Sequence, residues 1–100
     1  NVNESTLARD RAIGLENLNI RGLQTRMDRA AEKLAEANAQ ISRLRRSGKP
    51  APSSYAQMRD EAQNELARIS AAMNQRLKAV DDIRQRFQED EKRFLELKAR

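Results

Sequence analysis

Ser47-Gly48-Lys49-Pro50-Ala51-Pro52-Ser53-Ser54 is the only long break in a chain of helix-forming residues, and its reading decides the fold. Gly48 can take the left-handed backbone that ends a helix, and Pro50 two residues later forbids its continuation. Arg43, Arg45 and Arg46 fill the preceding turn, where the helix dipole favours cations. Ser54 with Gln57 three residues on has the spacing of a capping box, and two prolines keep the linker extended. The segment predicts a helix over about 4–47, a turn over about 48–53 and a helix over about 54–100.

Outward from the turn, both arms carry a seven-residue apolar repeat. Ile13, Ile20, Met27, Leu34 and Ile41 form one series in the first arm. Leu23, Ala30, Ala37 and Leu44 fall three positions after its members. The second arm repeats the pattern with Leu66, Met73, Val80, Phe87 and Phe94, and with Tyr55, Ala62, Ile69, Ile83 and Leu97. These are the a and d positions of a coiled coil. The fold class is therefore all-α: two long helices forming an antiparallel coiled-coil hairpin. Pairs whose residue numbers add to 103 place a opposite d throughout, for example Leu34 on Ile69 and Ala37 on Leu66. That register puts the fold point between Ala51 and Pro52. It also suggests ion pairs Lys33–Glu65, Asp10–Lys98, Arg9–Asp90 and Glu16–Arg84. Along the second helix, Asp82–Arg86, Glu89–Arg93 and Glu96–Arg100 have favourable acid-before-base spacing.

Not every apolar residue belongs to this seam. Leu7, Leu15 and Leu18 lie off it, and Gly14, Leu18 and Gly22 recur every four residues on another face. Glycine inside a helix costs roughly 1 kcal/mol against alanine, so close approach of another backbone would explain the pair. Leu77, with Ala72 and Ala79, widens the second helix's apolar surface. This width suits a bundle helix better than a two-stranded seam. The expected partner is protein: a homodimer completing a four-helix bundle, or another helical protein. The candidate contact stripe is Leu7, Gly14, Leu15, Leu18, Gly22 and Leu77.

The charge pattern marks a second candidate. The net charge is +5, yet no acid lies between Glu36 and Asp60. The bases there are Arg43, Arg45, Arg46, Lys49 and Arg59, so the whole surplus sits at the tip. Such a cluster can meet nucleic-acid phosphates or an anionic membrane surface. Against both, the tip lacks interleaved aromatics, and Tyr55 is its only bulky side chain.

Catalytic chemistry has little to work with. There is no cysteine or histidine, which removes thiol nucleophiles, imidazole bases and thiolate zinc sites. Ser47-Gly48-Lys49-Pro50 contains a Gly-Lys pair without the strand and spaced glycine of a phosphate loop. The acidic clusters read as solvated helix faces. No catalytic residue, metal ligand, cofactor or small-molecule substrate is expected. Without cysteine, cytoplasm and periplasm are equally compatible. Fifteen arginines against five lysines hint at a bacterial source. The start at Asn1 and the helical pattern running to Arg100 suggest a piece of a longer chain.

In outline the Ala/Leu/Arg heptads and basic turn resemble two groups of hairpins. These are the coiled coils of periplasmic adaptor (membrane-fusion) proteins and the stalk proteins of type III secretion and flagellar export. The likeness implies an arm within a larger assembly. Forty residues of helix would reach about 60 Å.

Overall fold

The computed structural model describes residues 2–99. It is all-α, with α1 at Val2–Arg46 and α2 at Ser53–Ala99 packed against each other. No helix among the described residues is long and apolar enough to cross a membrane.

The turn follows from glycine. Gly48 has φ of 73°, a conformation that costs any side-chain-bearing residue roughly 1–2 kcal/mol. Its N–H donates to the Arg45 carbonyl at 3.1 Å, and Lys49 N–H donates to the Leu44 carbonyl at 2.9 Å. Together these bonds close a Schellman motif on α1. Arg43 O accepts both the Ser47 N–H and the Ser47 hydroxyl, each at 3.1 Å. Three of the four carbonyls at the end of α1, those of Arg43, Leu44 and Arg45, thus find partners. α2 begins at Ser53, which places Ser54 inside the first turn. The Ser54–Gln57 capping box is therefore not formed. Tyr55 N–H instead donates to the Pro52 carbonyl at 3.1 Å.

The chain divides into two compact units. The turn unit runs from Gly22 to Ala72; the terminal unit joins the residues up to Arg21 with those from Met73 onward. In the turn unit the seam is well buried. Ala30, Ala37, Ile41, Ala62 and Ile69 are buried, with Ala37 at 0% and Ile69 at 1% exposure. Met27, Leu34, Leu44, Tyr55 and Leu66 are half-buried around them. In the terminal unit Val80 is the only buried residue among those described. Ile13, Ile20, Ile83 and Phe87 are half-buried there, and Phe94 and Leu97 are exposed.

Two ion pairs measure the register, one in each unit. In the turn unit Arg26 reaches Glu65 at 2.7 Å. The register fixed by Leu34 on Ile69 would put Asn38 opposite Glu65, twelve residues from Arg26. At 1.5 Å per residue that is about 18 Å along the axis, beyond the reach of two side chains. In the terminal unit Arg76 reaches Glu16 at 3.3 Å. The same register would put Phe87 opposite Glu16, eleven residues from Arg76. A shift of one heptad resolves both. Pairs adding to 96 place Ala31 opposite Glu65 and Val80 opposite Glu16, five and four residues from the respective arginines, about 6–7.5 Å along the axis and within reach of two side chains. A second heptad of shift would also satisfy the ion pairs, and the shared grooves decide against it.

This register also fits the residues that share grooves. Thr6, Arg9, Phe87 and Asp90 line one groove in the terminal unit; Ala30, Lys33, Ala62 and Glu65 line another in the turn unit. The expected fold point between Ala51 and Pro52 is therefore corrected to Gly48. The physical reason is that a whole-heptad shift keeps every a residue on a d residue, so periodicity cannot choose between the registers. The Schellman turn at Gly48 chooses.

The corrected layers of the turn unit are Met27 on Ile69, Ala30 on Leu66, Leu34 on Ala62, Ala37 on Arg59 and Ile41 on Tyr55. Each alanine still faces a larger residue. In the terminal unit charge enters the seam: Ile20 lies on Arg76, Glu16 on Val80, Arg9 on Phe87 and Thr6 on Asp90.

Stability should follow this division. Ile69→Ala removes fully buried volume and is expected to cost about 2–5 kcal/mol. Leu97→Ala, at an exposed site, is expected to change stability by less than about 0.5 kcal/mol. Urea unfolding followed by circular dichroism measures both. Equal effects would show that the turn-unit seam does not hold the helices together.

Candidate functional site

Heptad position explains where the off-seam residues go. In α1, Leu7 and Gly14 occupy b, Leu15 and Gly22 occupy c, and Leu18 occupies f. These three positions form the outer back of the helix, away from the a/d seam. Accordingly Leu7, Leu15 and Leu18 are all more than half exposed, Leu15 the most at 65%. Gly14 and Gly22 are exposed too, and a Cβ added to either would meet nothing within 4 Å. Close packing within the chain therefore does not require these glycines.

Leu77 does not join this stripe. It occupies position e of α2, beside the seam, and is 48% exposed. The terminal unit thus presents separate apolar surfaces: Leu7, Leu15 and Leu18 on α1, and Leu77 with Phe94, Leu95 and Leu97 on α2. Phe94 and Leu97 are seam residues by periodicity. Both are exposed. The longer register would set Arg9 on Phe94; in the observed register Arg9 faces Phe87.

The basic residues near the turn are more occupied than their sequence suggests. Arg43 donates to the Gln40 side chain. Arg46 Nε donates to the Ser42 carbonyl at 3.4 Å. Arg59 pairs with Asp60 at 3.1 Å, and it is a half-buried seam residue rather than a projecting charge. Arg45 and Lys49 are exposed. Several of these cations thus serve the local helix: they meet its carbonyls and side chains where the dipole is negative.

The ion pairs differ from those expected. Glu65 takes Arg26 and Arg68, at 2.7 and 3.2 Å, in place of Lys33. Glu16 takes Arg76 instead of Arg84, and Arg9 pairs with the adjacent Asp10 at 3.3 Å instead of with Asp90. The one-heptad correction separates Asp10 from Lys98. Asp82–Arg86 and Glu89–Arg93 are not among the closed pairs of the described residues, as expected of solvated side chains with little to gain. Glu96–Arg100 involves Arg100, outside the described residues. Sequence reading missed Arg26 and Arg68. The available signal was that Arg26 and Glu65 are both g residues, which meet across an antiparallel seam once its register is known.

Glu16 is the more enclosed of the two bridging carboxylates, with a side chain 19% exposed. Both its oxygens lie near one Arg76 nitrogen, at 3.3 and 3.4 Å. The Arg26 hydrogen bond holds the Glu65 carboxyl below the usual carboxylate range, and that from Arg68 adds to the effect. Among the described residues no cluster of acids is arranged to hold a metal ion. No family model, curated protein or solved structure matches the chain.

A depressed carboxylate pKa stabilises the fold above the unfolded value, and the contribution disappears as pH falls through the folded one. Glu65→Gln is therefore expected to lower Tm near neutral pH. The gap from the parent chain should begin to narrow as the pH drops below about 4.5, the ordinary glutamate value, and close only as it falls through the lower folded value. Thermal melts across an acid series test this; a gap that stays constant into acid would assign the effect to packing rather than charge.

Proposed function

We propose that the protein is a non-catalytic coiled-coil interaction module, a spacer, tether or oligomerisation arm that docks through its terminal unit. One observation carries this reading. Of the eight large apolar residues exposed in the described chain, seven belong to the terminal unit; Met58 alone lies in the turn unit. A seam containing Arg9, Glu16 and Arg76 holds the helices weakly there. Apolar surface withheld from an internal core is available to a partner. The turn unit, with its buried seam, supplies the rigidity. An arm within an assembly, such as a secretion or envelope machine, is one use to which a hairpin of this shape is suited. A four-helix bundle built from two hairpins is the simplest arrangement that would cover such faces.

A second reading rests on the acid-free stretch between Glu36 and Asp60. In it Arg45 and Lys49, with their neighbours, contact nucleic acid or an anionic membrane. The local engagement of Arg43, Arg46 and Arg59 favours the first reading.

A photo-crosslinking residue at Leu15, Leu77 or Leu95 should give discrete protein adducts in the source cells, whereas the same residue at Gln63 or Lys49 should not. Adducts at Lys49 to nucleic acid or lipid, with none at the leucines, would reverse the preference. A salt titration with duplex, single-stranded nucleic acid and acidic vesicles would then identify the ligand.

A further inference from the structure

The outer face of α1 carries a second repeat, independent of the seam. Glu4, Leu7, Arg11, Gly14, Leu18 and Arg21 alternate three- and four-residue steps along positions f and b. All six are exposed and all belong to the terminal unit. A three–four repeat is the pattern that lets one helix lie against another over several turns. Here it faces away from α2.

We infer that the occupant of this face is a second copy of the chain, laid antiparallel on α1 so that Leu7 meets the partner's Leu18. The inference rests on the interaction-module reading and identifies one of its partners. The repeat is complementary to its own reverse. With Leu7 on the partner's Leu18, Arg11 falls on the partner's Gly14, and Glu4 falls on the partner's Arg21. Twofold symmetry duplicates each contact. The two leucine layers are apolar, the outermost layers are oppositely charged, and the central layers set a long stem against a residue with no side chain. The open space around Gly14 leaves room for the Arg11 stem.

Neighbouring registers lack this match. A shift of one heptad in one direction sets Arg11 on the partner's Arg21 and Glu4 on the partner's Asp28, repulsions counted twice. The opposite shift sets Leu7 on the partner's Arg11. Like charges brought together across an interface are penalised, so charge selects the register as well as the partner. The resulting dimer is a four-helix assembly with the two α1 helices at its centre.

Sedimentation equilibrium of the full chain at low salt tests the arrangement. The parent chain is expected to show a monomer–dimer equilibrium. Leu18→Glu should weaken it at least about 30-fold while circular dichroism shows the helices intact. Glu4→Arg alone and Arg21→Glu alone should each weaken it, because each creates two like-charge contacts. An equimolar mixture of those two variants should recover dimers, since the two charge reversals are complementary and both contacts of the mixed pair again join an acid to a base. A parent chain that remains monomeric at high micromolar concentration overturns the inference. So does a dimer indifferent to Leu18→Glu, or a mixture that associates no better than its components. Adducts from Leu15, Leu77 or Leu95 to a different protein, with the parent chain monomeric, would overturn the second copy and leave the interaction-module reading standing.

Discussion

The left-handed backbone at Gly48 is the constraint on which the rest depends. It decides where α1 stops, and so which layer of α1 meets which layer of α2. A coiled-coil seam tolerates sliding by whole heptads, because each a residue finds another d residue. A turn does not slide. The N–H groups of Gly48 and Lys49 bond to particular carbonyls, those of Arg45 and Leu44, and the reversal they produce carries α2 back along one register. The seam supplies most of the stabilisation, and the turn supplies the alignment.

That alignment has unequal consequences. Near the turn it sets alanine against leucine and isoleucine against tyrosine, and Ala30, Ala37, Ile41, Ala62 and Ile69 are buried. Farther along it sets Arg9 on Phe87 and Arg76 on Ile20. Charged side chains can lay their stems along apolar neighbours while their heads reach water, so these layers persist without being tight. The same chain thus has a firm half and a loose half. The exposed leucines cluster in that half.

Much of the fold was legible in the sequence. The seven-residue series from Ile13 to Ile41 and from Leu66 to Phe94 required two helices and an antiparallel seam, and Gly48 with Pro50 required a turn. The register was not legible. Leu34 can meet Ile69 or Ala62 with equal respect for the heptad, and the proline pair at 50 and 52 suggested a fold point later than the glycine provides. The shift accounts for the loss of Asp10–Lys98 and lets Glu65 meet Arg26, but it leaves Lys33 beside Glu65 and Arg9 beside Asp90; in those two pairs other partners, Arg26 with Arg68 and Asp10, took the place of the expected ones. The apolar face of α1 was visible as leucines off the seam. Its separation from Leu77 was not, because that depends on heptad position around two different helices. The basic tip looked stronger in sequence than in structure, where Arg59 enters the seam and Arg43 and Arg46 turn back onto α1.

The register is tested most directly by cysteine pairs, in a chain that has no cysteine of its own. Met27→Cys with Ile69→Cys places two thiols in one layer of the observed register; Leu34→Cys with Ile69→Cys places them in one layer of the alternative. The two partners of Ile69 are seven residues apart, about 10 Å along α1, which is more than disulfide geometry can absorb. Mild oxidation at low protein concentration, read as the mobility of the monomer on a non-reducing gel, should close the Met27–Ile69 pair rapidly and leave the Leu34–Ile69 pair reduced. The reverse result would contradict the account and return the fold point to Ala51 and Pro52.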